Sequence, residues 1–274
     1  MLLPVFRFIP QIVQFSTTTA EMPPTTIHDL PPELHYAILD HLYGNRPALR
    51  SCCLTCKLWF DHAQPILYET IQVHNENTTA FRWTMTRRPE LSSDIRELTF
   101  HNVVRVPRPP PGFIPCRIRL LRLVDMDLSN PWITAVLSGS KHCILQLSLR
   151  DCHAHDMESF LKFLSEMPNL QHIDIERGRL RTSDNDDVKF PISPPGLQSL
   201  SVIGEESYDV PSFAVVGAFL GDPGSYDRLS ILKIHLGIGH LFLFDRFLAA
   251  AGPNLRELNL SIKSNGPLVP LGRW

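Results

Sequence analysis

Seven times between Ile95 and Leu260 the chain repeats one spacing of apolar side chains: two residues skipped, then one. The triplets are Ile95/Leu98/Phe100, Ile118/Leu121/Leu123, Ile144/Leu147/Leu149, Leu170/Ile173/Ile175, Leu197/Leu200/Val202, Leu229/Leu232/Ile234 and Leu255/Leu258/Leu260. All twenty-one positions are apolar, and successive starts lie 23, 26, 26, 27, 32 and 26 residues apart. A unit of that size cannot bury its own apolar face, so successive units must stack and share one core.

Alternate residues of a strand face opposite sides. The positions beside the second and third members of each triplet should therefore face solvent. They are Glu97, Thr99, His101; Leu120, Arg122, Val124; Gln146, Ser148, Arg150; His172, Asp174, Glu176; Ser199, Ser201, Ile203; Ile231, Lys233, His235; and Glu257, Asn259, Ser261. Seventeen of the twenty-one are polar, which predicts half-buried strands lining one face of a sheet. Helix-like returns are expected at Pro131 to Leu137, Asp156 to Met167, Ser212 to Leu220 and Leu241 to Ala251, with Asn130 and Asp156 as N-caps. Five prolines between Val106 and Pro115 predict an extended return there.

Period and internal spacing resemble those of leucine-rich repeats. Cys152, three residues after Leu149, stands where that consensus places Asn or Cys to hold loop backbone. The other repeats lack it, so the resemblance is to irregular repeats. It implies an α/β solenoid, a horseshoe of about seven strand-plus-return units over residues 74–274. Repeat proteins of this shape bind with the strand-lined face, and the candidates there are Arg122, Arg150, His172, Asp174, Glu176, Lys233, His235 and Glu257. The last residues, Leu268 to Trp274, offer no polar cap, so the final repeat is expected to fray or the chain to be short of its natural length.

The segment before the repeats has a different period. Leu34, Ile38, Leu39 and Leu42 recur at three- and four-residue intervals, an amphipathic helix with Pro31 in its first turn. Gly44 ends it and Pro47 opens a second, on which Leu49, Cys52, Cys53 and Cys56 share a face. A third begins near Trp59 and runs to about Tyr68. Leu30-Pro31-Pro32-Glu33-Leu34, Cys53-Leu54-Thr55-Cys56-Lys57-Leu58-Trp59 and Pro65-Ile66-Leu67-Tyr68, in that order and spacing, resemble the F-box in its fungal version. Thr55 departs from the pattern, which often has Val, and is expected to weaken packing slightly.

The resemblance covers about one sixth of the chain and assigns residues 27–73 to a small all-α three-helix F-box, an α+β arrangement with the repeats. It implies docking onto a Skp-type adaptor, and through it onto a cullin–RING ubiquitin ligase, by Leu30, Pro31, Leu34, Ile38, Leu39, Leu42, Leu49 and Trp59. The chain would then be a non-catalytic substrate-recognition subunit, its repeats holding a client protein, in the cytoplasm or nucleus. The alternatives are an adaptor-bound scaffold without a degradation role and a structural or ligand-sensing repeat protein with a degenerate F-box.

A formal net charge of −2 gives no electrostatic reason to expect nucleic acid or an anionic membrane. The first fifteen residues are apolar, but Pro4, Arg7 and Pro10 interrupt a run too short to span a bilayer. Residues 1–26 are expected to be disordered, or their start misassigned, with Met22 just ahead of the helical segment. Six cysteines, three crowded at 52, 53 and 56, suggest reduced thiols in packing rather than a secreted framework.

Chemical motifs are incomplete, and no catalytic residue, cofactor or metal is expected. Cys53-x-x-Cys56 with His62 lacks a second ligand pair. His142, Cys143, Cys152, His153 and His155 fall on a strand's flanks and in loops. Gly237-Ile238-Gly239 has Phe242 where a dinucleotide fingerprint needs glycine. Asp184, Asp186 and Asp187 precede Lys189 where a calcium loop needs glycine. Pro107-x-x-Pro110 reads as a loop spacer.

Overall fold

The computed structural model describes residues 30–103, 109–110, 113, 115–154, 157–180, 196–203, 228–237 and 252–263. Three helices open it: α1 (Pro32–His41), α2 (Arg46–Cys53) and α3 (Lys57–Glu69). Pro31 is the N-cap of α1 and Pro32 its first residue, so the missing N–H groups fall where no helical bond is due. Gly44, at φ +85°, makes the turn out of α1. Asn45 then caps α2, its side-chain oxygen accepting from the Ala48 N–H at 3.2 Å.

Helix α1 buries His35 and Leu39, one turn apart, and turns Leu34 and Ile38 outward. Leu39 joins Leu49, Cys52, Trp59 and Ala63 in a small core of its own, flanked by Leu42, Cys53, Cys56, Ile66 and Leu67. The indole N–H of Trp59 donates to Nδ1 of His35 at 2.6 Å. That bond lets a polar ring lie 98% covered inside an apolar cluster. Thr55 is exposed and its hydroxyl donates to the Ser51 carbonyl, so the expected loss of packing there does not arise.

All seven predicted strands are present: β2 (Glu97–His101), β3 (Leu120–Val124), β4 (Gln146–Arg150), β6 (His172–Glu176), β8 (Ser199–Ile203), β9 (Ile231–Gly237) and β10 (Glu257–Lys263). They pair in parallel and in chain order, with Leu98, Leu121, Leu147, Ile173, Leu200, Leu232 and Leu258 in one register row. A one-residue slip would carry every such row to the polar face, so the alternation locks the pairing. From β2 to β9 these apolar rows lie in one continuous core. At β10, paired only to β9 among the described residues, Leu255, Leu258 and Leu260 are half-buried.

An eighth strand precedes them. β1 (Thr70–His74) pairs with β2 through Ile71↔Leu98 and Val73↔Phe100. The sheet thus begins at Thr70, inside the segment assigned to the helical module, and α3 runs into it without a linker.

Returns on the apolar side are α4 (Thr78–Arg87), α5 (Pro131–Ser140) and α6 (Met157–Ser165). Asn130 caps α5 as expected, accepting from the Trp132 N–H at 3.0 Å, and the helix runs to Ser140, three residues beyond the expected end. Between β2 and β3, Phe113 stands edge-on to Phe81 of α4 and Trp132 of α5 and fills the core between those two helices. A two-stranded ribbon, β5 (His153–Ala154) with β7 (Arg179–Leu180), was not foreseen. No helix among the described residues is long and apolar enough to cross a membrane.

Strand ends share a device. Asn102, Asp125, Asp151 and Arg177 each follow a strand with φ between 46° and 56°. Their N–H groups donate to Val124, Arg150, Glu176 and Ile203 carbonyls of the next strand at 2.7–2.9 Å. Asn and Asp tolerate this left-handed conformation better than other non-glycine residues. Cys152 was expected to hold loop backbone; its buried thiol instead donates to the carbonyl of Leu123, within strand β3, at 3.2 Å.

The segment 1–26 expected to be disordered or misassigned, the Asp156 cap, the returns at 212–220 and 241–251, His155, Pro107, the aspartates at 184–187, the Gly239 turn with Phe242, and the segment 268–274 lie outside the described residues.

Candidate partner-binding surfaces

Among the described residues, the large apolar side chains left exposed are Leu34, Tyr36, Ile38, Tyr43, Leu54, Leu58 and Trp83. Six of the seven belong to the three-helix module, so among the described residues the surplus is concentrated there. A module this small has a five-residue core, and placing more apolar residues inside would require volume it lacks. Leu34 and Ile38 are 49% and 38% exposed and occupy one face of α1, four residues apart. Leu54, in the turn after α2, is 89% exposed, and Leu58 follows in the first turn of α3.

Eight residues were expected to contact an outside subunit, and the structure divides them. Pro31, Leu34 and Ile38 are exposed, while Leu30 and Leu42 are half-buried. Leu39, Leu49 and Trp59 are 0%, 1% and 8% exposed and form the module's core. Their role is corrected to support: they hold the helices that present Leu34 and Ile38. Periodicity could not separate the two sets, because both faces of α1 carry apolar residues. The exposure of Leu54 and Leu58 escaped helical spacing for the opposite reason, since they sit at a turn where that spacing is broken.

Residues 27–73 match the family model described as F-box-like. No curated protein matches the chain. The F-box-like region is therefore helical through α3, ends in β1, and is followed by the parallel sheet.

Polar side chains anchor the F-box-like region to that sheet. Arg46, at the start of α2, donates to the Leu67 and Thr70 carbonyls at 2.9 and 2.7 Å, capping the C-terminal end of α3. Arg88 donates to Gln64 of α3 at 3.1 Å and to Glu90 at 2.9 Å, with its guanidinium over the Phe60 ring. Glu69, at the junction, raises the Tyr43 phenol above its usual 10.0 through its charge, with burial and a hydrogen bond to Glu69 acting the same way.

On the strand-lined face, Arg122, Arg150, Asp174, Lys233 and Glu257 are exposed, and His172, Glu176 and His235 are partly covered. Neighbouring strands pair several of these charges: Arg122 with Glu97 at 4.0 Å, Arg150 with Glu176 at 3.4 Å, Lys233 with Glu257 at 3.3 Å. Asp151 and Arg177 extend the central pair into a four-residue network. Thr99, expected to face solvent, is 5% exposed. His74 and His101, in register on β1 and β2, stack at 4.4 Å. Burial, and then the His74 charge, lowers the His101 pKa from 6.5.

The cysteines of the helical region are packing residues. Burial raises the Cys52 and Cys53 thiols above 9.0, and Cys152 is pushed up to about 11. No group of three or more metal-binding side chains occurs among the described residues.

Proposed function

We propose that this chain is the substrate-recognition subunit of a Skp–cullin–F-box ubiquitin ligase of the fungal type. The observation that carries the reading is an apolar surplus that, among the described residues, is concentrated on the F-box-like region: Leu34 and Ile38 on α1, with Leu54 and Leu58 beside the start of α3. In water that surface is unfavourable, and a Skp-type adaptor laid over it would remove it from solvent. The chain itself would be non-catalytic, supplying proximity in the cytoplasm or nucleus, and would require neither nucleic acid nor a membrane.

The second half of the proposal is that the parallel sheet is an irregular leucine-rich-repeat solenoid whose polar face holds a client protein. Chain-order parallel strands, helical returns and repeated left-handed strand ends support it. Lateral pairing of Arg122, Arg150 and Lys233 leaves little net field on that face. Client selection would therefore rest on shape and hydrogen bonding rather than on one sign of charge.

Co-purification from source cells tests the first half. The wild-type chain should retain a Skp-type adaptor, and the Leu34→Ala/Ile38→Ala variant should lose it while its circular dichroism is unchanged. Equal adaptor recovery from both would overturn the assignment. Client half-life with and without proteasome inhibition separates a ligase subunit from an adaptor-bound scaffold.

A further inference from the structure

Outside the helical region, one hydrogen bond joins two cysteines, from a thiol to a main-chain carbonyl. The Cys143 thiol donates to the carbonyl of Cys116 at 3.0 Å. Cys116 is exposed and Cys143 is half-buried, both as free thiols. Each lies on the approach to a strand, Cys116 before β3 and Cys143 before β4, and β3 and β4 pair in parallel. The two approaches are tied together at neighbouring points as well. Ser140 donates its hydroxyl to the Pro115 carbonyl, and the Leu145 N–H donates to the Arg119 carbonyl at 2.9 Å. The backbone around the two cysteines is thus held on both sides, and the Cys143 sulfur lies against the Cys116 main chain.

The surroundings also suit a particular reagent. Arg117, Arg119, Lys141 and His142 flank the two cysteines in sequence and are exposed. Exposed cations beside an accessible thiol attract an anionic disulfide of low molecular weight, of which glutathione disulfide is the common example. Of the other cysteines, Cys52 and Cys152 are buried, and Cys53 and Cys56 pack against the helical core.

We propose that Cys116 and Cys143 form a redox-responsive pair, oxidised by an anionic low-molecular-weight disulfide to a clip between the approaches to β3 and β4. The exposed Cys116 thiolate attacks one sulfur of the reagent, forming a mixed disulfide and releasing one thiol. Cys143 then attacks the Cys116 sulfur, closing the protein disulfide and releasing the second thiol. Two protein thiols are oxidised, one small disulfide is reduced to two thiols, and no other oxidant is consumed. The clip would pin two successive strand approaches and leave the F-box-like region untouched.

The test treats the full chain with glutathione disulfide under native conditions, alkylates remaining thiols and maps the peptides. A Cys116–Cys143 cross-link is expected, with Cys152 unalkylated before denaturation and circular dichroism unchanged. In the Cys143→Ser variant, the mixed disulfide should accumulate on Cys116. In Cys116→Ser, Cys143 should remain a free thiol. A mixed disulfide persisting on Cys116 in the wild type would overturn the proposal, as would cross-links scattered over Cys52, Cys53 and Cys56. Cross-linking that appears only together with Cys152 labelling would overturn it too, since the chain would then have opened first.

Discussion

Leu34, Ile38 and Leu39 lie within two turns of one helix, yet substitution should separate their roles. Covering a Leu or Ile side chain fully is worth about 1.5–3 kcal/mol. With 49% of Leu34 and 38% of Ile38 still in water, a partner that covers the remainder gains about 0.7–1.5 and 0.6–1.1 kcal/mol. The double alanine variant should therefore lose up to about 1.3–2.6 kcal/mol of adaptor affinity, roughly nine- to seventy-fold in Kd. Its folding should change by about 1 kcal/mol or less, because neither side chain belongs to the core. Leu39 is 0% exposed, and Leu39→Ala should cost about 2–5 kcal/mol of stability through lost burial and a residual cavity. Calorimetric titration with purified adaptor, paired with thermal unfolding of each variant, reads both quantities. Wild-type affinity in Leu34→Ala/Ile38→Ala would refute the surface assignment. An unchanged unfolding profile in Leu39→Ala would refute the division of α1 into a core and a contact face.

Trp59→Phe should destabilise the helical region by about 1–3 kcal/mol beyond its lost packing, because Nδ1 of buried His35 loses its donor; denaturant titration followed by far-ultraviolet circular dichroism measures this. Arg46→Ala should expose the Leu67 and Thr70 carbonyls and cost about 1 kcal/mol, read by faster hydrogen exchange at β1 than in Arg50→Ala, whose parent side chain is exposed. His101 has a folded pKa below its unfolded value of 6.5. The unfolded state therefore takes up the proton first, and stability present above pH 6.5 should decline as pH falls toward the folded pKa. His101→Gln should flatten that slope, and an identical slope in the variant would rule the histidine out as its source.

Much of the sheet was legible because one-sided burial leaves a period-two mark at every strand. Leu98 and Phe100 point in, while Glu97 and His101 lie on the other face, partly covered. The pattern fails where a residue's cover comes from neighbouring strands, as at Thr99, which is polar and 5% exposed between Gln72 and Arg122. Strand ends were legible in retrospect. Asn102, Asp125 and Asp151 fall two residues after Phe100, Leu123 and Leu149, a polar column with a conformational reason. Arg177 hides the column in sequence, since its left-handed backbone comes with a side chain that bridges Asp151 and Glu176. In the helical region, composition revealed a surplus but not its direction. Only the crossing of α1 with α3 decides that His35 faces inward and Leu34 outward.

The missed first strand follows from the same spacing rule. Tyr68, Ile71 and Val73 repeat the apolar template, and Tyr68 lies 27 residues before Ile95, within the range of the other intervals. Tyr68 packs against the sheet's core, whereas Ile66 and Leu67 pack against the helical one. The motif that closes the helical region is thus also the opening of the first repeat. A boundary drawn at residue 73 severs β1 from the sheet it pairs with, leaving the apolar edge of β2 unpaired. The two units therefore cannot be separated by a cut after Val73 without damaging the sheet. With no linker, the angle between the Leu34/Ile38 surface and the polar sheet face is set by α3 itself, by Arg46 at its end and by Arg88 at its side. Under the proposed function such a join would matter, because a fixed angle would keep a client on the sheet at a constant distance from an adaptor on α1.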